Sequence, residues 1–235
     1  MPFNDYDSFA EAYAAETESN LINGHYTRPA MLDLAGDVAG RRVLDVGCGA
    51  GPLSAALRER GAIVTGMDSS AQMLELARKR LGEGADLLLA DLSEPLPFAD
   101  DSFDDAVACL VLHYLRDWSA PLAELRRVLR PGGRLIVAVD HPLVTTLMDP
   151  EADYFATRER SEEWGFGGHS ALMKFWHRPL NATTDAFTAA GFRISVISEP
   201  PPGPQARELF PDEIRADRSA FLCFLFFVLH AEDHG

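Results

Sequence analysis

Nine consecutive residues constrain this chain more than any others. Val43-Leu44-Asp45-Val46 is a short apolar run that breaks on Gly47-Cys48-Gly49-Ala50-Gly51, and Pro52 comes next. Proline suits the first position of a helix, where its missing N–H has no intrahelical partner to lose. Leu53, Ala56 and Leu57 then make the inner face of that helix, and Gly61 ends it. The segment therefore reads as strand, glycine loop, helix. Glycine lets the backbone turn tightly and lets a ligand approach with no Cβ in the way. The helix start adds free N–H groups and the positive end of a dipole. The result is a cradle for a polar ligand at the end of a strand. A dinucleotide-binding loop would space its glycines G-x-G-x-x-G. Here the spacing is G-x-G-x-G with proline next, which weighs against a nucleotide-dependent oxidoreductase and leaves that reading as an alternative.

The same alternation repeats along the next hundred residues. Ala62 to Met67 reads as a second strand, and Ser69-Ser70-Ala71-Gln72 resembles a capping box. Met73, Leu74, Ala77 and Leu81 keep helical spacing. Further strands are expected over 86–90, 103–112 and 134–140. An amphipathic helix carrying Trp118, Leu122, Leu125, Val128 and Leu129 precedes the last of these, and Pro131-Gly132-Gly133 stops it. The strands are continuously apolar, as in a parallel sheet covered on both faces. Beyond residue 180 the pattern resumes with a helix near 184–190, a strand at 192–198, and a final apolar run from Ala220 to Leu229. The expected fold is α/β: a doubly wound, mostly parallel seven-stranded sheet with helices on both faces. Residues 1–40 read as an N-terminal helical cap broken at Asn23-Gly24, 41–140 as the binding core, 141–180 as an inserted cap, and 181–235 as the closing helix and strands.

Composition narrows the function classes. Asp and Glu number 36 against 21 Lys and Arg, a net charge of −15 with a sequence pI near 4.8. Such a chain repels phosphate backbones and anionic membrane surfaces, so nucleic acid and membrane are poor partners. Cys48, Cys109 and Cys223 are an odd number with no C-x-x-C pair, which suits a reducing cytoplasmic setting. Met1 to Glu18 is polar and acidic, unlike a signal peptide. The run from Ala220 to Leu229 is too short to cross a bilayer. Nineteen of the 21 basic residues are Arg, which suggests a GC-rich bacterial genome. No H-E-x-x-H motif or tight Cys/His cluster is present, so no metal site is expected.

Three acids punctuate the core. Asp45 precedes the glycine loop, Asp68 closes the second strand, and Asp91 succeeds the third in Leu89-Ala90-Asp91-Leu92. A carboxylate at the position of Asp68 can accept both hydroxyls of a ribose. With LPFADDSFD (96–104), LVLHYL (110–115) and LRPGGRLIV (129–137), the chain resembles the class I S-adenosylmethionine (SAM)-dependent methyltransferases. The resemblance is to the broad small-molecule group that includes the ubiquinone/menaquinone-pathway enzymes, and it is firm over residues 40–140. It implies a Rossmann-like methyltransferase fold, SAM as cofactor with S-adenosylhomocysteine (SAH) as product, and a small-molecule acceptor. It places Gly47 and Gly49 against the methionine part of SAM, with Cys48, Gly51 and Ser69 in the same cradle. Asp45 orders the loop or faces the SAM amine, Asp68 holds the ribose, and Asp91 accepts from the adenine amino group beside Leu92. Leu110 and His113 lie near the sulfonium. Met73 packs on the adenine or ribose, or is plain core.

Acceptor recognition is less specified. His113, His141 and His177 are the candidate catalytic bases, with His169 a further histidine of the insertion. Tyr154, Phe155, Trp164, Phe166, Phe175 and Trp176, with Gly165, Gly167 and Gly168, suit a cap over a flat or apolar substrate. A satellite hydrophobic cluster or a homodimer contact is the alternative. From the other side Tyr6, Tyr13, Tyr26 and Arg28 can close over SAM, with Arg28 paired to its carboxylate. Tyr26, Tyr114, Trp164 and Trp176 are the candidate substrate-binding residues. A non-catalytic SAM-binding module remains the second functional reading.

Overall fold

A computed structural model describes residues 4–166, 169–214 and 222–232. Among the described residues, nine strands form two sheets. The larger has seven strands: β1 (Arg42–Val46), β2 (Ile63–Asp68), β3 (Asp86–Leu89), β4 (Phe103–Cys109), β5 (Leu129–Asp140), β8 (Phe192–Ser198) and β9 (Phe224–Ala231). Its spatial order is β3-β2-β1-β4-β5-β9-β8. The first five are parallel, and β9 runs antiparallel between β5 and β8. The chain steps outward from β1 to β3, then returns to lay β4 against the other edge of β1. The carboxyl ends of β1 and β4 thus flank the switch point where open α/β sheets bind ligands.

Both faces of the sheet are buried, and alternate residues serve alternate cores. Leu44, Val46, Ala106, Ala108, Leu135, Val137, Leu225 and Phe227 face one cluster, with Trp118, Leu122, Leu125 and Phe187 packed against them. Val43, Val107, Ile136, Ala138, Phe224 and Phe226 face the other, with Met31, Leu53 and Leu57. Two covered faces explain why these strands are apolar along most of their length. Two acids are nonetheless fully buried among them, Asp45 on β1 and Asp105 on β4. Asp105 is gripped by Arg134 (2.7 Å) and Arg41. Burial raises its carboxyl, but the two guanidiniums outweigh that and hold it below the usual carboxylate range.

Helices α3 (Pro52–Glu59), α4 (Ala71–Leu81), α5 (Ser119–Val128) and α7 (Leu180–Ala189) cover the faces. Several boundaries differ from the sequence reading. The α4 cap is Ser70, not Ser69: its hydroxyl accepts from the Met73 amide at 3.0 Å. Pro131-Gly132-Gly133 does not end the helix before a fresh strand; it bulges out of β5 between Leu129, paired with Phe103, and Arg134, paired with Asp105. The fourth strand stops at Cys109, and a 3-10 turn holds Leu112–Tyr114. Asn23-Gly24 does not break the N-terminal helix. The break falls earlier, at Asn20, which is extended (φ −68°, ψ 164°) after helix α1 (Ala10–Ser19) and whose side chain accepts from the Asn23 amide to cap a π-helical stretch, Leu21–Thr27, that runs on into α2 (Arg28–Ala35). The insertion has a fold of its own: a short helix, α6 (Pro142–Met148), then an antiparallel hairpin of β6 (Arg158–Phe166) and β7 (His169–His177). Gly167 and Gly168 lie outside the described residues, as do the side chains of Phe166 and His169.

The N-terminal segment is clipped to distant parts of the chain. Asn4 makes a two-way amide pair with the Lys174 backbone on the hairpin, at 2.9 and 3.0 Å. Asp7 accepts from the Ser70 hydroxyl (2.5 Å) and the Gln72 amide (3.0 Å) at the start of α4. Glu18 pairs with Arg80 on α4. Among the described residues, no helix is long and apolar enough to cross a membrane.

Candidate active site

A cavity of about 210 Å³ opens at the carboxyl ends of β1, β2, β3 and β4, under the N-terminal segment. Its floor is the glycine loop. Gly47 sits at φ +70°, and a Cβ there would come within 2.8 Å of Val111 Cγ2. Gly49 is also left-handed (φ +54°), but no atom lies within 4 Å of where its Cβ would stand. The first glycine is required by packing and backbone together. The second leaves the floor open for a ligand. Gly51, left-handed at φ +79°, starts α3 close against Leu81 and Ala77 of α4.

Carboxylates ring this floor. Asp68 ties the loop to α4: Oδ2 accepts from the Gly49 amide (2.8 Å) and Oδ1 from the Ser70 amide (2.9 Å). Its pKa is raised, because burial outweighs those bonds. Asp45 is fully buried and accepts from the Ser54 hydroxyl at 2.6 Å. Burial pushes its carboxyl up to about 6, with the charge of Asp68 adding to the effect. Asp91 accepts from the amide and hydroxyl of Ser93 at 2.9 and 2.7 Å. Cys48, Ser69, Met73, Leu92 and Leu110 complete this part of the lining. Leu110 adopts φ +56°, rare for a side chain with a Cβ. Backbone strain of that kind gathers at ligand sites. Arg28 reaches the cleft from α2, its guanidinium bonded to the Thr17 and Glu18 carbonyls at the end of α1. Burial lowers its pKa.

Of the cofactor residues expected from sequence, Gly51 alone is absent from the lining; it acts through the α3–α4 contact. The acceptor residues divide differently. Tyr114 lines the cleft. Tyr26 does not: it is fully buried in the sheet core, stacked on Phe224 at 5.8 Å. Trp164 lies one layer behind, parallel to Tyr13 at 6.5 Å, and it is Tyr13 that faces the cleft. Trp176 carries Arg116 over its ring at 5.4 Å and borders a separate water-sized cavity of about 10 Å³.

None of the three histidines lines the cleft. His141 caps α6, its Nδ1 accepting from the Leu143 amide (3.1 Å) while Nε2 meets Glu199 at 2.6 Å. His177 is held between the Thr145 hydroxyl (2.6 Å) and the Tyr154 carbonyl (2.8 Å), and burial lowers its pKa. His113 is buried behind Tyr114, 3.3 Å from Asp140, and borders the small second cavity with His177. Asp140 also pairs with Arg160 of the hairpin. Burial raises its carboxyl, but His113 and Arg160 prevail and hold it far below the usual range. The ring nitrogens of His141 and His177 are thus taken up by protein partners away from the cleft, while those of His113 are buried beside the second cavity with no hydrogen-bond partner among the described residues. Sequence reading missed Arg80, Glu18, Thr17, Asn23 and Asn4, all of which line the cleft. Only the three-dimensional path of the N-terminal segment brings them there.

Residues 44–137 match the family described as a methyltransferase domain. Over this stretch the chain is similar to the class I SAM-dependent methyltransferases. A demethylmenaquinone methyltransferase from Clavibacter sepedonicus is 38% identical over 135 residues, covering 56% of this chain and 55% of the relative. A malonyl-[acyl-carrier protein] O-methyltransferase from Erwinia pyrifoliae is 35% identical over 182 residues, covering 76% of this chain and 60% of that relative. The chain thus spans a little over half the length of these curated relatives. Among solved structures, a SAM-dependent methyltransferase from Mesorhizobium loti superimposes with a TM-score of 0.66 at 25% identity, covering 86% of this chain and 96% of that one. Nothing in these relatives supports a nicotinamide-dependent oxidoreductase. Among the described residues, no cluster of three or more His, Cys, Asp or Glu is arranged to hold a metal ion.

Proposed function

We propose that this protein is an enzyme that transfers the methyl group of SAM to an oxygen, nitrogen or carbon atom of a small metabolite. The observation that carries the reading is the cavity at the switch point, which gathers the open face of Gly49, three strand-end carboxylates and Arg28. That donor set fits a zwitterionic nucleoside. Asp45 suits the ammonium and Arg28 the carboxylate of its amino-acid end. Asp68 suits the ribose hydroxyls, and Asp91 with Leu92 and Met73 suits the adenine.

When bound, SAM supplies a methyl group already activated on a positively charged sulfur. The chain has then to bind, align and exclude water. Alignment of an acceptor in line with the methyl contributes up to ~7–11 kcal/mol in ideal intramolecular cases. Water is kept out by the N-terminal segment, clipped to α4 by Asp7 and Glu18 and to the hairpin by Asn4. No histidine among the described residues lines the cleft, so the reading favours an acceptor that reacts through a lone pair it already carries.

The named relatives divide between demethylmenaquinone and malonyl-[acyl-carrier protein]. This supports placing acceptor choice outside residues 44–137, in the N-terminal segment and residues 141–180. The three free cysteines suit a reducing, cytoplasmic setting. The test is incubation with methyl-tritiated SAM and a panel of small carboxylic acids, phenols and amines. Label recovered in a small product, with SAH formed in equal amount, is expected. SAM that binds yet releases no methyl to any member of the panel would favour the binding-module reading.

A further inference from the structure

The second, smaller cavity lies back to back with the cleft. It has room for a single water-sized group, about 10 Å³. The turn after β4 separates the two spaces: Tyr114 and Leu115 face the cleft, and His113 faces the small cavity. Asp140 at the end of β5, Thr145 of α6, and His177 and Arg178 at the end of the hairpin supply the rest of its polar lining.

Most of the hydrogen-bonding capacity here is spent. The Thr145 hydroxyl and the Tyr154 carbonyl occupy both nitrogens of His177. Asp140 pairs with Arg160 through Oδ2 and faces Nδ1 of His113 at 3.3 Å through Oδ1. Nε2 of His113 is left over: the residue is only 4% exposed, and among the described residues the atom has no hydrogen-bond partner. Nε of Arg178 is left over in the same way, closed off from solvent and unpartnered. The Arg178 guanidinium lies over the Trp118 ring, 4.4 Å from its centre, and gives Nη2 to the Arg116 carbonyl at 2.5 Å.

Arginine can only donate, so the group missing opposite Nε is an acceptor. A buried donor left unpaired costs about 1–3 kcal/mol, and more when it is charged. Elsewhere in this acidic chain guanidiniums find carboxylates: Arg41 and Arg134 on Asp105, Arg127 on Glu124, Arg160 on Asp140. Arg178 does not. Burial lowers its pKa, and Asp117, the carboxylate whose charge opposes that, already accepts from the Ser119 amide. Asp140, the acid of the lining, is answered by Arg160. A desolvated positive charge with an unspent N–H favours an anionic oxygen over a neutral one.

We propose that this cavity is an oxyanion site, in which one oxygen of a carboxylate or phosphate accepts from Nε of Arg178 and from the Nε2-protonated form of His113. The exposed guanidinium of Arg116, carried over Trp176 beside the same cavity, adds a second positive charge near its mouth. The oxyanion comes from one of two sources: the charged end of an acceptor that reaches around the turn, or a free anion that fastens the insertion to it. The site stands independently of the cofactor reading.

Inorganic phosphate and acetate are the probes. Each is titrated at constant ionic strength into the full chain, Arg178→Gln and Arg178→Lys, and nitrogen-15 NMR follows the arginine and histidine side-chain signals. The unmodified chain is expected to show saturable shifts of Arg178 Nε–H and His113 with at least one probe. Arg178→Gln is expected to bind that probe about 10-fold or more weakly, the scale of a hydrogen bond to a charged partner. Arg178→Lys keeps the charge and the stem over Trp118 but lacks the Nε–H, so it gives the answer even if Arg178→Gln folds poorly; it is expected to bind several-fold more weakly. SAH affinity is expected to be unchanged in both. A rise in KM confined to carboxylate- or phosphate-bearing acceptors marks the acceptor as the source, and unchanged KM with probe binding lost marks a free anion. Probe shifts that survive both substitutions, or an Arg178 signal indifferent to both probes, would overturn the site and leave the cavity to water.

Discussion

The floor of the cleft and its roof are built by different means. The floor is backbone: glycines at positive φ, strand ends, and a carboxylate that accepts main-chain amides. Its parts lie close in sequence, from Asp45 to Asp91, and every one belongs to a strand–loop–helix unit that the sheet needs anyway. The roof is side chains. Tyr6 meets Tyr114, Asn4 meets Lys174 and Asp7 meets Ser70 across separations of 108, 170 and 63 residues. A backbone-built floor is rigid and tied to global stability, whereas a roof of side-chain clips opens at the cost of a few hydrogen bonds. On this account the part that cannot move recognises most of the cofactor, and the part that can supplies Arg28, access and acceptor choice.

Substitutions that unsettle one region and spare the other sharpen the contrast. The largest effect is expected from Gly47→Ala. Positive φ alone costs about 1–3 kcal/mol, and the new methyl meets Val111 Cγ2. Denaturant unfolding reads the loss of stability, and SAH affinity should fall with it. A Gly47→Ala protein of unchanged stability would show that the floor is not set by its backbone. Asn4→Ala is the matching change in the roof. It removes two hydrogen bonds worth about 0.5–1.5 kcal/mol each, yet global unfolding should shift little. Hydrogen exchange should instead speed up in the N-terminal segment and leave β1 and β4 protected. Uniform acceleration across the sheet would mean that roof and floor are one cooperative unit.

The smallest effect concerns Asp45. Its carboxyl titrates near 6 in the free protein because burial disfavours the charge. A cofactor ammonium would favour the charged form, so binding releases a proton below that pH. SAH affinity should be flat above about pH 7 and fall as pH drops through 6, approaching about tenfold per pH unit at lower pH. Asp45→Asn should abolish that dependence. A wild-type profile flat through pH 6 would remove Asp45 from the ammonium site.

The same division explains what can be read without coordinates. Continuous apolar strands, the Gly47–Gly51 loop and the acids at strand ends are local signals, and each has its place in the sheet or on the cleft. The order of the seven strands fits the same repetition. Tyr26 misleads because an aromatic residue beside a candidate ligand arginine looks the same whether it faces a cleft or Phe224 and Phe226. His141 and His177 sit close enough to strand ends to suggest catalysis, but their partners, Glu199, Thr145 and the Tyr154 carbonyl, carry no signal in the linear sequence. Arg80 has the spacing of an ordinary surface residue on α4. It becomes part of the site only because α1 folds back and brings Glu18 to it. The cap of α4 falls one position past the expected serine, where the Ser70 hydroxyl accepts from the Met73 amide and donates to Asp7, 63 residues away.

The most direct test of a backbone-built SAM floor is calorimetric titration of the unmodified chain with SAH and, separately, with NADH, each repeated on Asp68→Ala. The account predicts one site for SAH and no heat with NADH. It also predicts that SAH binding weakens by about 1.5–3 kcal/mol in Asp68→Ala, the scale of hydrogen bonds to a charged acceptor. Saturable binding of NADH in place of SAH, or SAH affinity indifferent to the loss of Asp68, would contradict it.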